Sequence, residues 1–190
     1  MNRLEKWFCG SGLWRRATER KVLPWMLSGY KLGDTVLELG AGPGASTEEL
    51  RRLAPHVTSL EYDHAFARKL GTRFRNTNVG VLEGDAASLP FPDEAFSSVL
   101  AVLVLHHLKS REQQEKAFAE IHRVLRPGGA FLALEIGDGW LQRFGHKNST
   151  FVPVAPAVAF ARLTSLGFSK IVVDMKTAVF RICALRSQEA

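Results

Sequence analysis

The stretch TVLELGAGPGASTEELRRLA, Thr35 to Ala54, constrains the fold more than any other part of the chain. Its first five residues are β-branched or aliphatic apart from Glu38 and read as a buried strand. The last ten carry acids early, as the dipole of a helix N-terminus favours. Between the two, Gly40, Gly42 and Gly44 fall at alternate positions. A strand that feeds a helix through so bare a loop opens an alternating α/β pattern, in which helices cover both faces of a mostly parallel sheet.

The alternation continues. VTSLEY (Val57 to Tyr62) reads as a second strand, and Asp63 as the N-cap of a helix over HAFARKLGTRF. VGVLEGD (Val79 to Asp85) reads as a third strand. A fourth lies within FSSVLAVLVL, apolar on both faces as the centre of a parallel sheet requires. Ser110 and Gln113 make a capping box for a helix from Arg111 to Leu125, which places Phe118, Ile121 and Leu125 on one face. RPGG (Arg126 to Gly129) is expected to stop that helix and turn the chain into a fifth strand, AFLALEI. After a helix in AVAFARLTSLGF, the strands KIVVDM and VFRICAL stand only a few residues apart. So short a connection demands an antiparallel hairpin. The expected fold is α/β: a three-layer sandwich around a Rossmann-like, mostly parallel seven-stranded sheet with a C-terminal antiparallel hairpin.

At 190 residues, with 46% apolar and 23% charged residues, one soluble globular domain is expected. The longest apolar run, Val99 to Leu105, is far too short to span a bilayer, and charges in MNRLEKWFCG interrupt any secretory signal. Cys9 and Cys183 are too few and too far apart for a disulfide framework or a metal site, so a reducing cytoplasm is expected and no metal. The net charge of +6 is concentrated: residues 1–31 contribute +5 of it and hold Trp7, Trp14 and Trp25.

Which ligand needs that loop? The dinucleotide fingerprint spaces its glycines G-x-G-x-x-G over a pyrophosphate. Here the spacing is G-x-G-x-G with Glu38 two residues ahead, and a negative side chain suits a cationic ammonium or sulfonium group better than a pyrophosphate. At this point the sequence resembles the class I S-adenosylmethionine-dependent methyltransferases, whose first motif is acid-x-G-x-G-x-G. It is most similar to their small-molecule and lipid branch, often called type 11. The resemblance covers roughly residues 34–137, with GDAASLPFPDEAFSSV, LHHL and LRPGG following in the family's order.

The resemblance implies a division into a basic, Trp-rich lid segment (1–31), a cofactor-binding core (34–137), and a short lid, helix and closing hairpin (138–190). It implies that S-adenosylmethionine is bound by Glu38, Gly40, Ala41, Gly42, Gly44, Glu61, Tyr62, Asp85, Ala86 and Val102. In that set Glu61 accepts both ribose hydroxyls, Tyr62 stacks on adenine, Asp85 accepts the adenine amino proton, and the Ala86 N–H donates to a ring nitrogen. A carboxylate offers two acceptor oxygens to a vicinal diol, which favours an acid at Glu61. Ser97 stands where the family has Asp, so the structural fastening that an acid gives there is expected to be missing. The acceptor-shaping insertions are expected to be largely missing from Gly137 to Pro156.

Blander readings accompany each residue. The glycines could serve only a tight turn, Glu61 and Asp85 could cap helices, and Tyr62 could merely pack. His106 and His107 invite a general-base role, but the family carries such histidines without one, and in-line transfer of an activated methyl needs mainly proximity and orientation. The expected function is methyl transfer to a small-molecule or lipid-type acceptor. Alternatives are an RNA or other nucleic-acid methyltransferase, suggested by the basic N-terminus, a catalytically silent cofactor-binding module, and, most distantly, an NAD-dependent oxidoreductase. In residues 1–31, Leu4, Phe8, Trp25 and Leu27 could pack on the domain. Alternatively the segment could lie over the cofactor and touch an anionic membrane, making the protein membrane-peripheral.

Overall fold

Seven short segments pair edge to edge because each must satisfy its backbone, and the central ones bury both faces. In the computed structural model, which describes residues 3–147 and 149–188, they are β1 (Thr35–Leu39), β2 (His56–Glu61), β3 (Val79–Glu83), β4 (Phe96–Val102), β5 (Leu125–Ile136), β6 (Phe168–Lys176) and β7 (Val179–Arg186). The sheet order is β3-β2-β1-β4-β5-β7-β6. Strands β1 to β5 pair in parallel, whereas β7 runs antiparallel to both β5 and β6. This is the expected Rossmann-like sandwich with its closing hairpin.

Among the described residues, eight α-helices flank the sheet: α1 (Arg3–Cys9), α2 (Gly12–Ala17), α3 (Leu23–Leu27), α4 (Ala45–Leu53), α5 (His64–Arg73), α6 (Arg111–Val124), α7 (Trp140–Gly145) and α8 (Pro156–Ser165). A π-helical turn, Thr18–Val22, joins α2 to α3. Alternation along the strands divides the core in two. Phe131 and Ala133 of β5 face Phe118 and Ile121 of α6 and Leu163 of α8. Leu132 and Leu134 face the other way, toward Met26, Leu50 and Leu70 of α3, α4 and α5. Phe118 is fully buried and meets Phe131 edge-on at 6.0 Å.

The caps follow the sequence. Asp63 accepts the amides of Ala65 and Phe66, and the Ser110 hydroxyl accepts the amide of Gln113. The return arm of the capping box reaches one residue further than expected, to the amide of Lys109.

Two expectations need correction. Arg126–Gly129 does not separate helix from strand: α6 runs straight into β5, Leu125 already pairs with Phe96, and a register shift before the Ser98–Ala130 pair absorbs the surplus residues. Nor is the fastening missing at Ser97. Its hydroxyl lies within hydrogen-bond reach of the carbonyls of Leu32 and Thr35, which share its one proton, and accepts the amide of Thr35, so a short side chain ties β4 to the start of β1. Gly33 makes this possible, since a Cβ there would sit 2.6 Å from that hydroxyl.

The N-terminal segment is mixed. Trp25 is half-buried beneath Lys176 and Arg181, Leu27 packs against the core, and Phe8 packs on Trp14 while remaining 47% exposed. Met1, Asn2 and the Leu4 side chain lie outside the described residues. No helix among the described residues is long and apolar enough to cross a membrane.

Candidate functional site

Strand order reverses at β1, whose neighbours β2 and β4 lead to opposite edges of the sheet. A crevice opens at such a switch point, outside the carboxyl ends of the strands. Here it is a cavity of about 760 Å³, lined by the β1 loop, the ends of β2 and β3, and the segment after β4. That volume suits a nucleoside-sized ligand.

The glycine loop forms its floor. Gly40, Gly42 and Gly44 all have positive φ, at +62°, +52° and +81°. At Gly40 an added Cβ would strike Val104 at 2.6 Å. Gly42 differs: a Cβ would meet nothing closer than the Gly40 carbonyl at 4.0 Å, so its bare face is open to the cavity. The loop is pinned from below by the Gly40 amide, which donates to the Leu60 carbonyl at 2.8 Å.

Glu61 closes β2 at 8% exposure and lines the cavity. Its two oxygens accept the amides of Gly42 at 2.7 Å and Asp63 at 2.8 Å. Each oxygen retains a second lone pair, so two vicinal hydroxyls can be held without displacing the loop. Tyr62, 63% exposed, stands beside it with the Lys109 ammonium over its ring. Asp85 and Ala86 line the cavity past β3, and one Asp85 oxygen accepts the Ala87 amide.

Two of the expected ligand residues line neither this cavity nor its neighbour. Glu38 is 1% exposed, and its carboxyl group receives the hydroxyls of Ser46, Thr47 and Ser59 at 2.5, 2.6 and 2.6 Å. Burial pushes this carboxyl above the usual range while the three hydroxyls pull against it. The acid therefore ties the start of α4 to β1 and β2 beneath the loop. Gly44 is the N-cap of α4, and the place of its missing Cβ is filled by Leu70, 2.6 Å away.

A smaller cavity of about 210 Å³ shares Gly40, Gly42, Leu103 and His107 with the first. Ala41 and Val102 line this one only, together with Glu5, Cys9, His106 and His146. Leu103, a left-handed non-glycine residue at φ +59°, turns the chain between the two cavities and donates its amide to Leu134. Of the two catalytic candidates, His106 is 2% exposed and bonded through Nδ1 to Glu135 at 2.6 Å. His107 contacts the Thr150 carbonyl through Nδ1, and burial together with His106 pushes its pKa down to about 4. So weak a base is a poor acceptor for a substrate proton at neutral pH. Burial raises the Cys9 thiol to about 11, which keeps it protonated.

Sequence reasoning missed Glu5, Lys109, Glu135 and His146. Glu135 had a readable signal, as the lone acid in the apolar strand AFLALEI. Glu5 and His146 reach the site from opposite ends of the chain, and local pattern could not pair them.

Comparison with known proteins points one way. A family model described as "Methyltransferase domain" matches residues 37–133, just over half of the chain. The "Demethylmenaquinone methyltransferase" of Tropheryma whipplei (strain Twist) is 33% identical over 125 residues, 64% of this chain and 47% of that protein. The "Ubiquinone/menaquinone biosynthesis C-methyltransferase UbiE" of Citrobacter koseri is 32% identical over 130 residues, 65% of this chain and 48% of that protein. The matched regions thus span about half the length of these relatives. Among solved structures, the N-methyltransferase NodS from Bradyrhizobium japonicum WM9, in complex with S-adenosyl-L-homocysteine, superposes with a TM-score of 0.75. It is 20% identical, and the match covers 95% of this chain and 91% of that one, so it speaks to the fold.

Proposed function

The chain belongs to the methyltransferase domain family, and from that premise we propose that it transfers a methyl group from S-adenosylmethionine to a small-molecule or lipid-type acceptor. The observation that carries this reading is the pairing of Glu61 and Asp85 at adjacent strand ends around a glycine loop whose Gly42 face is open. The residues fit the cofactor. Glu61 keeps two lone pairs for a ribose diol, Tyr62 offers a ring face, and Asp85 with the Ala86 amide offers the acceptor and donor that adenine needs. Gly40, Ala41 and Gly42 bring the backbone close, and Val102 borders the smaller cavity where the acceptor enters. Glu38 and Gly44 act beneath the loop, by fixing α4.

When bound, the cofactor supplies an electrophilic methyl on a sulfonium, and its displacement by the acceptor leaves S-adenosylhomocysteine. The chain's part is approach and exclusion of water: the shared wall of Gly40, Gly42, Leu103 and His107 sets where the contents of the two cavities meet. In this reading the chain is one domain. Residues 34–137 form the cofactor-binding core, 1–31 a lid, and 138–190 a short lid followed by helix and hairpin.

The relatives' names point to an aromatic, quinol-like acceptor, and the surface near the smaller cavity supports a lipid-soluble one. Trp7, Phe8 and Leu13 of α1 and α2 are exposed, as are Trp140, Leu141 and Phe144 of α7. Ser149 ties α1 to the segment after α7 through Glu5. Arg15, Arg16 and Arg20 are exposed, in a depression they share with Glu19, Glu48 and Glu49, and each basic side chain near an anionic surface contributes about 1 kcal/mol. Liposome sedimentation should show salt-sensitive binding to anionic vesicles, weakened by deleting residues 1–31. Equal partitioning to neutral vesicles, or none to either, removes the membrane part. A screen of acceptors with radiolabelled cofactor tests the transfer itself, and label on a quinol or phenol class is expected. Transfer only to RNA would overturn the acceptor class.

A further inference from the structure

Three histidines meet at the smaller cavity, brought together from the turn after β4 and from the end of α7. One ring nitrogen from each of His106, His107 and His146 lies within 4.8 Å of one from the other two. Their ring centroids are 4.2, 5.1 and 5.4 Å apart. In each ring the Nδ1 is already engaged. His106 Nδ1 meets Glu135 Oε2 at 2.6 Å, His107 Nδ1 the Thr150 carbonyl at 3.2 Å, and His146 Nδ1 the Gln142 carbonyl at 2.6 Å.

The partners decide the tautomer. Carbonyl oxygens only accept, and the carboxylate of Glu135 also takes the amides of Val104 and Leu105 on its other oxygen. Each Nδ1 therefore acts as the donor, which leaves Nε2 as the ring nitrogen that a metal ion would take. Metal-binding histidines show this same arrangement, the second ring nitrogen donating to a carboxylate or backbone carbonyl that orients the ring. Here all three have it. A carboxylate stands on the open side as well, with Glu5 Oε1 3.8 Å from His146 Nε2.

We propose that His106, His107 and His146 bind a single divalent transition metal ion of the zinc class through their Nε2 atoms, with the fourth position open to the smaller cavity. Three nitrogen ligands and one open position are the pattern of a reactive rather than a structural zinc site. Bonds of about 2.0–2.1 Å in a tetrahedron separate ligand nitrogens by about 3.4 Å, so rings whose nitrogens lie within 4.8 Å of one another would close around the ion. His106 is held by the buried Glu135, which serves as a positioning residue. The open position would take water or an acceptor oxygen, and a Lewis acid there would make a hydroxyl or phenol more acidic. Only that last step rests on the methyl-transfer reading; the binding of the ion does not.

The test uses the full chain stripped with a chelator and titrated with Co²⁺, followed by its visible absorption, with Zn²⁺ in competition. One ion per chain with a four-coordinate spectrum is expected, displaced by Zn²⁺. His146→Ala should weaken binding at least about tenfold. In Glu135→Gln the amide oxygen can keep the two backbone amides while its NH₂ faces His106. That reverses the tautomer and should cost about 10–100-fold in affinity. Circular dichroism shows whether each variant is folded, and if Glu135→Gln is not, His146→Ala decides alone. Co²⁺ binding as tight in folded His146→Ala as in the parent chain, or only weak binding of several ions, overturns the site and leaves an aromatic cluster around Phe151. S-adenosylhomocysteine affinity, measured alongside, separates the two readings: its absence with the ion bound would count against the cofactor assignment alone.

Discussion

Replacing Glu38 separates a residue that builds the loop from one that touches the ligand. Its carboxyl receives three hydroxyls at 2.5–2.6 Å, and Ser46, Thr47 and Ser59 are themselves buried. Glu38→Ala leaves all three without that partner in a space too enclosed for free hydration. A buried group that loses its hydrogen bond costs about 1–3 kcal/mol, and hydroxyls that rotate to new acceptors recover part. We expect a loss of about 2–5 kcal/mol, which for a chain of this length lowers Tm by about 4–20 °C. Glu38→Gln keeps the shape and one acceptor, so its deficit should be about 1 kcal/mol. The pH dependence has a definite sign. The folded-state pKa of Glu38 is raised by burial, so its contribution is full below the ordinary carboxylate range and declines as pH rises through the folded value. The deficit of Glu38→Gln relative to the parent should therefore narrow as pH increases. Well below Tm, affinity for S-adenosylhomocysteine should change less than about threefold, because the side chain reaches neither cavity. Thermal denaturation over a pH series with calorimetry on the same samples measures both. Unchanged Tm with a loss of affinity beyond about tenfold, the signature of a direct charge-assisted contact, would refute the reasoning.

Glu61→Ala and Asp85→Ala should each weaken S-adenosylhomocysteine by about 1–3 kcal/mol, roughly 5- to 150-fold, and unchanged calorimetric affinity in folded variants would remove those assignments. Glu61→Ala should also lower Tm, since the Gly42 and Asp63 amides lose their acceptor; Asp85→Ala should do so less. Gly40→Ala drives a Cβ against Val104 at a positive φ and should cost about 1–3 kcal/mol of stability, read as a lower denaturation midpoint. Phe118→Ala, which opens the core between α6 and β5, should cost about 3–5 kcal/mol by the same measurement while leaving the cofactor cavity lined as before.

The parts of the site legible in the sequence were those whose meaning is local. Alternating glycines between a strand and a helix fix a turn, and acids at strand ends lie where crevices in open α/β sheets lie, which agreed with the family resemblance in marking Glu61 and Asp85. The direction of a side chain could not. Glu38 sits on a strand whose two faces are both covered, and nothing in its neighbours announces that Ser59, twenty-one residues on, will turn a hydroxyl toward it. Gly44 looks like its neighbours in sequence but is required by Leu70, a packing partner on another helix. The fastening at Ser97 is hidden from local pattern because its acceptors, Leu32 and Thr35, lie more than sixty residues away. The histidine cluster is illegible for the same reason. LHHL supplies two rings on one turn, but the third comes from α7, and only the fold brings Glu135 behind the first.

The proposed methyl transfer turns on whether the cavity beside the glycine loop is a site for S-adenosylmethionine and its product. Titration calorimetry of the full chain with S-adenosylhomocysteine, and separately with NADH, tests it most directly. Saturable binding of one S-adenosylhomocysteine per chain, with no heat from NADH, is the predicted result. A folded chain that gives no heat with S-adenosylhomocysteine, or that binds NADH in its place, would contradict the account.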